Sequence, residues 1–187
     1  MPQSEDRSTR ILESAMPLIA RQGWRRTSLA EIADAADVSL AELRRAFRSK
    51  EAILAAVLSR ADDEVLSGED PSLREEPRHD RLFDAIMRRF DALSPYKPAI
   101  RAMLREAPAE PLGSLCRVPR LLNSMAWMLE SAGVSTAGIA GMIRVKTLTG
   151  LYLVTLRTWL RDDSPDLAPT MAALDRNLRR ADRLLRL

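Results

Sequence analysis

The chemistry this chain can offer lies mostly in guanidinium groups. Lysine occurs only at Lys50, Lys97 and Lys146, so arginine carries nearly all the positive charge. Between Ser39 and Lys50, a short helical segment turns Leu43, Ala46 and Phe47 inward and leaves Ala41, Arg44, Arg45 and Arg48 outward. A guanidinium presents a planar fork of N–H donors that can bind a guanine edge or a phosphate in two places at once. Three of them on one helix face suit a helix lying in the major groove of DNA. Hydroxyls at Ser28 and Ser39 and the Lys50 ammonium, all near helix starts, can hold phosphates. The candidate DNA contacts are therefore Ser28, Ser39, Leu40, Ala41, Glu42, Arg44, Arg45, Arg48 and Lys50. The plain alternative is a helical hairpin whose arginine face only meets water.

Other chemistries find little material. His79 is the only histidine and sits in a charged, proline-bearing loop, while Cys116 lies in a separate segment with proline and glycine. A cysteine nucleophile needs a base beside it, and the sequence supplies none. No glycine-rich phosphate loop or metal-ligand spacing occurs. Asp162, Asp163 and Asp166 cluster, but at a helix stop and restart, where Asp166 favours the helix that follows. Catalysis, cofactors and metals are not expected.

The arginine face needs elements to hold it, and 3.6-residue apolar periodicity recurs along the chain with hardly a strand signal. A first helix is expected from about Ser8 to Gln22, closed by Gly23, with Pro17 kinking it. Ser28 with Glu31, and Ser39 with Glu42, have capping-box spacing, and each opens a short helix. The link Ala36-Asp37-Val38 between them is tight, as in a helix-turn-helix. Asp37 stands where a left-handed residue is needed, and aspartate tolerates that conformation better than most. Leu29, Ile32, Ala33, Val38, Leu43 and Phe47 make the small core. Glu42 either completes its capping box or accepts from a cytosine.

A fourth helix begins at Ser49 and reaches about Leu66, and residues 67–79 mark a joint. Further helices are expected near 80–93, 96–106, 112–131, 136–161 and 168–186, the third of these adjusted around Pro119. The fold class is all-α with about nine helices. Residues 1–55 form the head and 56–187 a ligand-binding and dimerisation body.

The 187 residues suffice for a head and a larger body, and 46% hydrophobic with 29% charged residues is a globular composition. A formal charge of +3, from 29 basic and 26 acidic residues, says nothing of nucleic acid by itself. With Cys116 alone, no disulfide forms within the chain, which points to a reducing compartment. No signal peptide or transmembrane segment is expected, and the chain reads as cytoplasmic.

Residues Arg10 to Leu54 resemble the N-terminal domain of TetR-type regulators. The likeness rests on Gly23-(x)3-Thr27-Ser28-Leu29-Ala30-Glu31-Ile32-Ala33, on Ala36-Asp37-Val38-Ser39, and on Phe47-Arg48-Ser49-Lys50-Glu51-Ala52-Ile53-Leu54. The resemblance implies an all-α homodimer whose third helix reads operator DNA and whose body binds a small molecule, and the expected function is a ligand-responsive repressor. Such proteins usually carry aromatics where Arg44 and Ala46 stand, and a small polar residue where Glu42 stands. Two further stretches, Ala15 to Trp24 and Gly150 to Leu178, are similar to the accessory protein family of ubiquinone biosynthesis. That likeness implies the alternative, a lipid-binding partner protein that no longer binds DNA.

Two body features remain. Met87, Met103, Met125, Met128 and Met142, with Trp127, are candidate linings for a small apolar effector, although methionine at helical spacing also simply fills cores. The 136–161 helix is apolar on more than one face, so one side is expected to meet a partner subunit. The last helix shows a three-and-four seam. The expected dimer residues are Leu151, Thr155, Met171, Leu174, Leu178 and Leu185, with packing inside the chain as the alternative.

Overall fold

The structure, a computed structural model, describes residues 2–68, 75–109 and 111–185. Among the described residues there are nine α-helices and no strand. They are α1 (Pro2–Gln22), α2 (Leu29–Ala35), α3 (Leu40–Ala46), α4 (Lys50–Ser67), α5 (Arg78–Leu93), α6 (Lys97–Glu106), α7 (Pro111–Ser131), α8 (Gly138–Trp159) and α9 (Ala168–Leu185). Short 3-10 turns at Ser94–Tyr96 and Ala107–Ala109 flank α6. Part of the expected joint, residues 69–74, lies outside the described residues, as does the side chain of Cys116.

Two compact units result. One comprises Met1–Arg60 with Leu93–Cys116, the other Ala61–Ala92 with Arg117–Leu187. The unit that contains the expected head thus also takes in α6, which the sequence pattern assigns to the body.

In the first unit α1 packs against α2, α3 and α6. Its inner face is Ile11, Leu12, Ala15, Met16 and Ile19, all buried, and the helix runs through Pro17, which is exposed. Gly23 ends it with φ 90, its amide bonded to the Ile19 carbonyl at 2.9 Å. Only glycine enters that left-handed region without penalty.

In the second unit α8 and α9 form the main pair. Leu148, Tyr152, Leu156 and Trp159 are buried on α8, and Ala173, Leu174, Leu178, Ala181 and Leu185 on α9. Inside this seam Asn177 Nδ2 donates to Thr155 Oγ1 at 3.2 Å, and that hydroxyl donates back to the Leu151 carbonyl. At the other end of α8 a Cβ on Gly141 would lie 1.9 Å from the Thr136 carbonyl oxygen, so the incoming loop requires glycine there. By length and composition α8 could cross a membrane, at mean hydropathy 1.3, a property that a core helix shares. Its outward face is also apolar: Ile139, Met142, Ile143, Leu153 and Val154 are exposed.

Between α8 and α9 the backbone turns on Asp162. One carboxylate oxygen accepts from the Ser164 amide at 3.1 Å and its hydroxyl at 2.5 Å, the other from the Thr170 amide at 3.0 Å and hydroxyl at 2.5 Å. Burial works to raise the pKa of this carboxyl, but the four donors outweigh it and hold it down to about 2. Asp166, two residues before α9, accepts from the Ala168 amide at 3.2 Å, which puts its charge at the start of that helix.

Candidate nucleic-acid interface

Both capping boxes form. The Ser28 hydroxyl accepts from the Glu31 amide at 3.2 Å, and Glu31 accepts from the Ser28 amide at 2.8 Å. Ser39 and Glu42 repeat this at 3.2 and 3.0 Å. Between the two helices Asp37 adopts φ 52. The Asp37 amide reaches the Asp34 carbonyl at 3.2 Å and the Val38 amide the Ala33 carbonyl at 3.0 Å. That pair of bonds is a Schellman turn, with aspartate where glycine is commoner. Ala33 is buried where the helices converge, and Leu43 and Phe47 fix α3 from beneath.

On α3, Leu40, Ala41, Arg44 and Arg45 are exposed, as the periodicity predicts, and Leu40 keeps 54% of its surface open. Arg48, expected on the same helix face, lies past its end: α3 stops at Ala46, Phe47 is extended at φ −137, and Arg48 is exposed in the link to α4. The three guanidinium groups have no ion-pair partner among the described residues.

Other candidates on the face are already occupied. Glu42 is half-buried: one oxygen is used by Ser39, and the other lies 3.4 Å from Arg7 on α1. The Ser39 amide, chiefly, holds its pKa below the usual carboxylate range, with the Ser39 hydroxyl assisting. Of the two roles open to Glu42 in the sequence, the structure builds the cap. Ser28 and Ser39 likewise spend their hydroxyls on their own boxes. Lys50, expected to project toward phosphates, instead turns inward. Its ammonium donates to the Trp24 carbonyl at 2.5 Å and the Thr27 carbonyl at 2.8 Å, and stands 4.7 Å from the centre of the Trp24 ring. Lys50 fixes the α1–α2 loop because two carbonyls with no helical partner need a donor there.

Residues 11–57 match the family model of bacterial regulatory proteins, tetR family. A solved TetR regulator from Nitrosomonas europaea shares 29% identity, covers 94% of this chain and 98% of its own, and superposes with a TM-score of 0.77. Residues 11–57 therefore resemble the tetR-family DNA-binding domain, and the whole chain shares the fold of a solved TetR regulator. An uncharacterised HTH-type transcriptional regulator, YvkB of Bacillus subtilis, is 44% identical over 50 residues, a stretch that spans 27% of this chain and 26% of that protein. The FadR repressor of Thermus thermophilus, solved with lauroyl-CoA, shares the TetR fold at 22% identity and a TM-score of 0.58, covering 92% and 91% of the two chains.

Elsewhere in the chain the sequence candidates scatter. Met125 and Met128 on α7 are fully buried, Met87 on α5 is half-buried, and Trp127 and Met142 are half-exposed. Met103 belongs to α6, in the other compact unit, so the six do not line one wall within a unit. Two open grooves fall elsewhere, one of about 580 Å³ beside Arg157, Arg161 and Pro169, one of about 400 Å³ beside Pro77, His79 and Asp182.

The dimer candidates also need correction. Thr155, Leu174, Leu178 and Leu185 are buried within the single chain, in the α8–α9 seam, and cannot also face a partner. Only Leu151 and Met171 remain partly open.

Sequence reasoning also missed the body's polar centre. Arg89 on α5 is 1% exposed; its Nε donates to Asp62 at 2.7 Å, and its terminal nitrogens donate to the Tyr152 and Ser124 oxygens. Ser124 donates to the second Asp62 oxygen. Phe90 stacks between Tyr152 and Trp159, at 5.2 and 5.3 Å. Desolvation works against the Arg89 charge, yet Tyr152 and Asp62 overcome it and raise its pKa, while burial raises that of Tyr152. Helical spacing carried the signal: Arg89 falls on the same face of α5 as the buried Leu82, Ala85, Ile86 and Leu93.

Proposed function

We propose that the chain is a ligand-responsive repressor that binds a two-fold symmetric operator as a homodimer in the cytoplasm. The observation that carries this reading is the open arginine face of α3. Arg44 and Arg45 stand on a helix whose start and turn are fixed by two capping boxes and a Schellman bend, Arg48 follows just past its end, and their donors have no partner among the described residues. A rigid helix with unspent guanidinium donors suits base edges and flanking phosphates.

Dimerisation in this reading uses the outward face of α8. Ile139, Met142, Ile143, Leu153 and Val154 offer apolar surface that a second copy would cover. The effector is an apolar molecule taken beside Met87, Met125 and Met128, in the unit where Arg89 supplies a polar centre.

Immunoprecipitated genomic fragments, sequenced and then tested by gel shift, check the DNA reading. A preferred palindromic duplex with strong salt dependence is expected. Mass spectrometry of the solvent-extracted protein, followed by titration of any recovered lipid into the DNA complex, tests the effector. A lipid that changes DNA affinity supports the repressor. A lipid-carrying chain that retains no duplex fits the ubiquinone-accessory likeness instead.

A further inference from the structure

The loop between α1 and α2 is more firmly built than a connection of its length requires. Trp24 and Thr27 are buried, and the Thr27 hydroxyl donates to the Gly23 carbonyl at 2.7 Å. Lys50 holds two of the loop's carbonyls from one direction. Glu106, at the end of α6, accepts from the Arg25 amide at 2.9 Å. Glycine at position 23 admits that carboxylate, since a Cβ there would lie 2.0 Å from Glu106 Oε1. All of these residues belong to one compact unit.

What this anchoring leaves outside is a pair of adjacent arginines. Arg25 and Arg26 are exposed, and neither side chain has an ion-pair partner among the described residues. Two neighbouring like charges on a fixed backbone repel, and an anion shared between them removes that cost. Ser28, two residues on, begins the helix that in a helix-turn-helix crosses the DNA backbone.

We infer that Arg25 and Arg26 form a second phosphate grip on duplex DNA, outside the bases that α3 reads, and that Glu106 is the positioning residue that holds it in place. This rests on the duplex-binding reading above and names the part of the partner involved, the phosphate backbone. The grip is indifferent to sequence, because phosphates carry none.

The test is the salt dependence of binding to a selected operator and to a random-sequence duplex of equal length. Replacing both arginines by alanine should lower the log–log salt slope by roughly 1–2, since each phosphate contact contributes about 0.9. Affinity for both duplexes should fall by the same factor, and Arg25→Lys with Arg26→Lys should restore most of it. Glu106→Ala should reproduce part of the slope change and add nothing further when both arginines are already alanine. Glu106→Gln, which keeps an acceptor oxygen, should stay near the unaltered protein. Thermal melting of each variant separates loss of grip from loss of fold.

An unchanged slope in the double alanine variant overturns the grip. An equal loss from Glu106→Ala in both backgrounds overturns the positioning role. An unaltered chain that binds neither duplex overturns the regulator reading and this inference together, which distinguishes the two failures.

Discussion

Arginine plays opposite parts in the two units. On α3 and just past its end, Arg44, Arg45 and Arg48 stand in water with their donors unspent among the described residues. On α5, Arg89 is almost wholly enclosed and donates to Asp62, Tyr152 and Ser124. The first arrangement costs the fold little and reserves its interactions for a partner. The second uses the same group to tie three helices around one charge. Removing an open arginine should therefore harm binding and spare stability, while removing the enclosed one should do the reverse.

The largest expected effect is on the enclosed side. Arg89→Ala strands the Asp62 carboxylate and should cost about 3–5 kcal/mol in urea denaturation. Replacing Asp62 and Arg89 together with apolar residues of similar volume should cost much less. Equal losses from the single and double changes would break the comparison.

On the open side, Arg44→Ala or Arg45→Ala should weaken operator binding by about 1–3 kcal/mol if the residue reads a base, and move stability by less than about 0.5 kcal/mol. A melting temperature that falls in step with affinity would show that these arginines also hold the fold.

How the two sides differ in legibility follows from range in sequence. The capping boxes at Ser28–Glu31 and Ser39–Glu42, the left-handed Asp37 and the outer face of α3 are set by residues within one helical turn of each other, so sequence spacing reveals them. The inward Lys50, with its carbonyl partners 23 and 26 residues away, and Glu106, 81 residues from Arg25, are not visible that way. The α8–α9 seam failed differently. The spacing of Leu174, Leu178 and Leu185 was read correctly as a packing stripe, but a stripe does not say whether its partner is the same chain or another. Burial decides it. Leu178→Glu should accordingly unfold the body, whereas Val154→Glu on the outward face of α8 should leave a folded monomer in sedimentation.

A smaller effect is expected at the α8–α9 turn. Asp162→Asn should cost about 1–2 kcal/mol. The folded pKa lies below the ordinary 3.8, so the stabilisation is complete above about pH 4 and is lost as pH falls through about 2. Acid melts in which the native and asparagine forms converge near pH 2 would bear this out, and a constant gap down to that pH would not. Smallest is Ser39→Ala, which removes one cap from α3 and should cost about 1 kcal/mol. Its affinity for every duplex should drop together, because the helix frays without changing what it reads.

The central claim, that the open arginine face of α3 reads DNA, is tested most directly by selecting duplexes from a randomised library with the unaltered protein and with Arg44→Ala, at moderate salt. The account predicts that the unaltered protein enriches a two-fold symmetric sequence, and that the variant retains backbone affinity while its preference for that sequence over random duplex falls by about 1–3 kcal/mol. No enrichment by the unaltered protein, or the same preference in both, would contradict it.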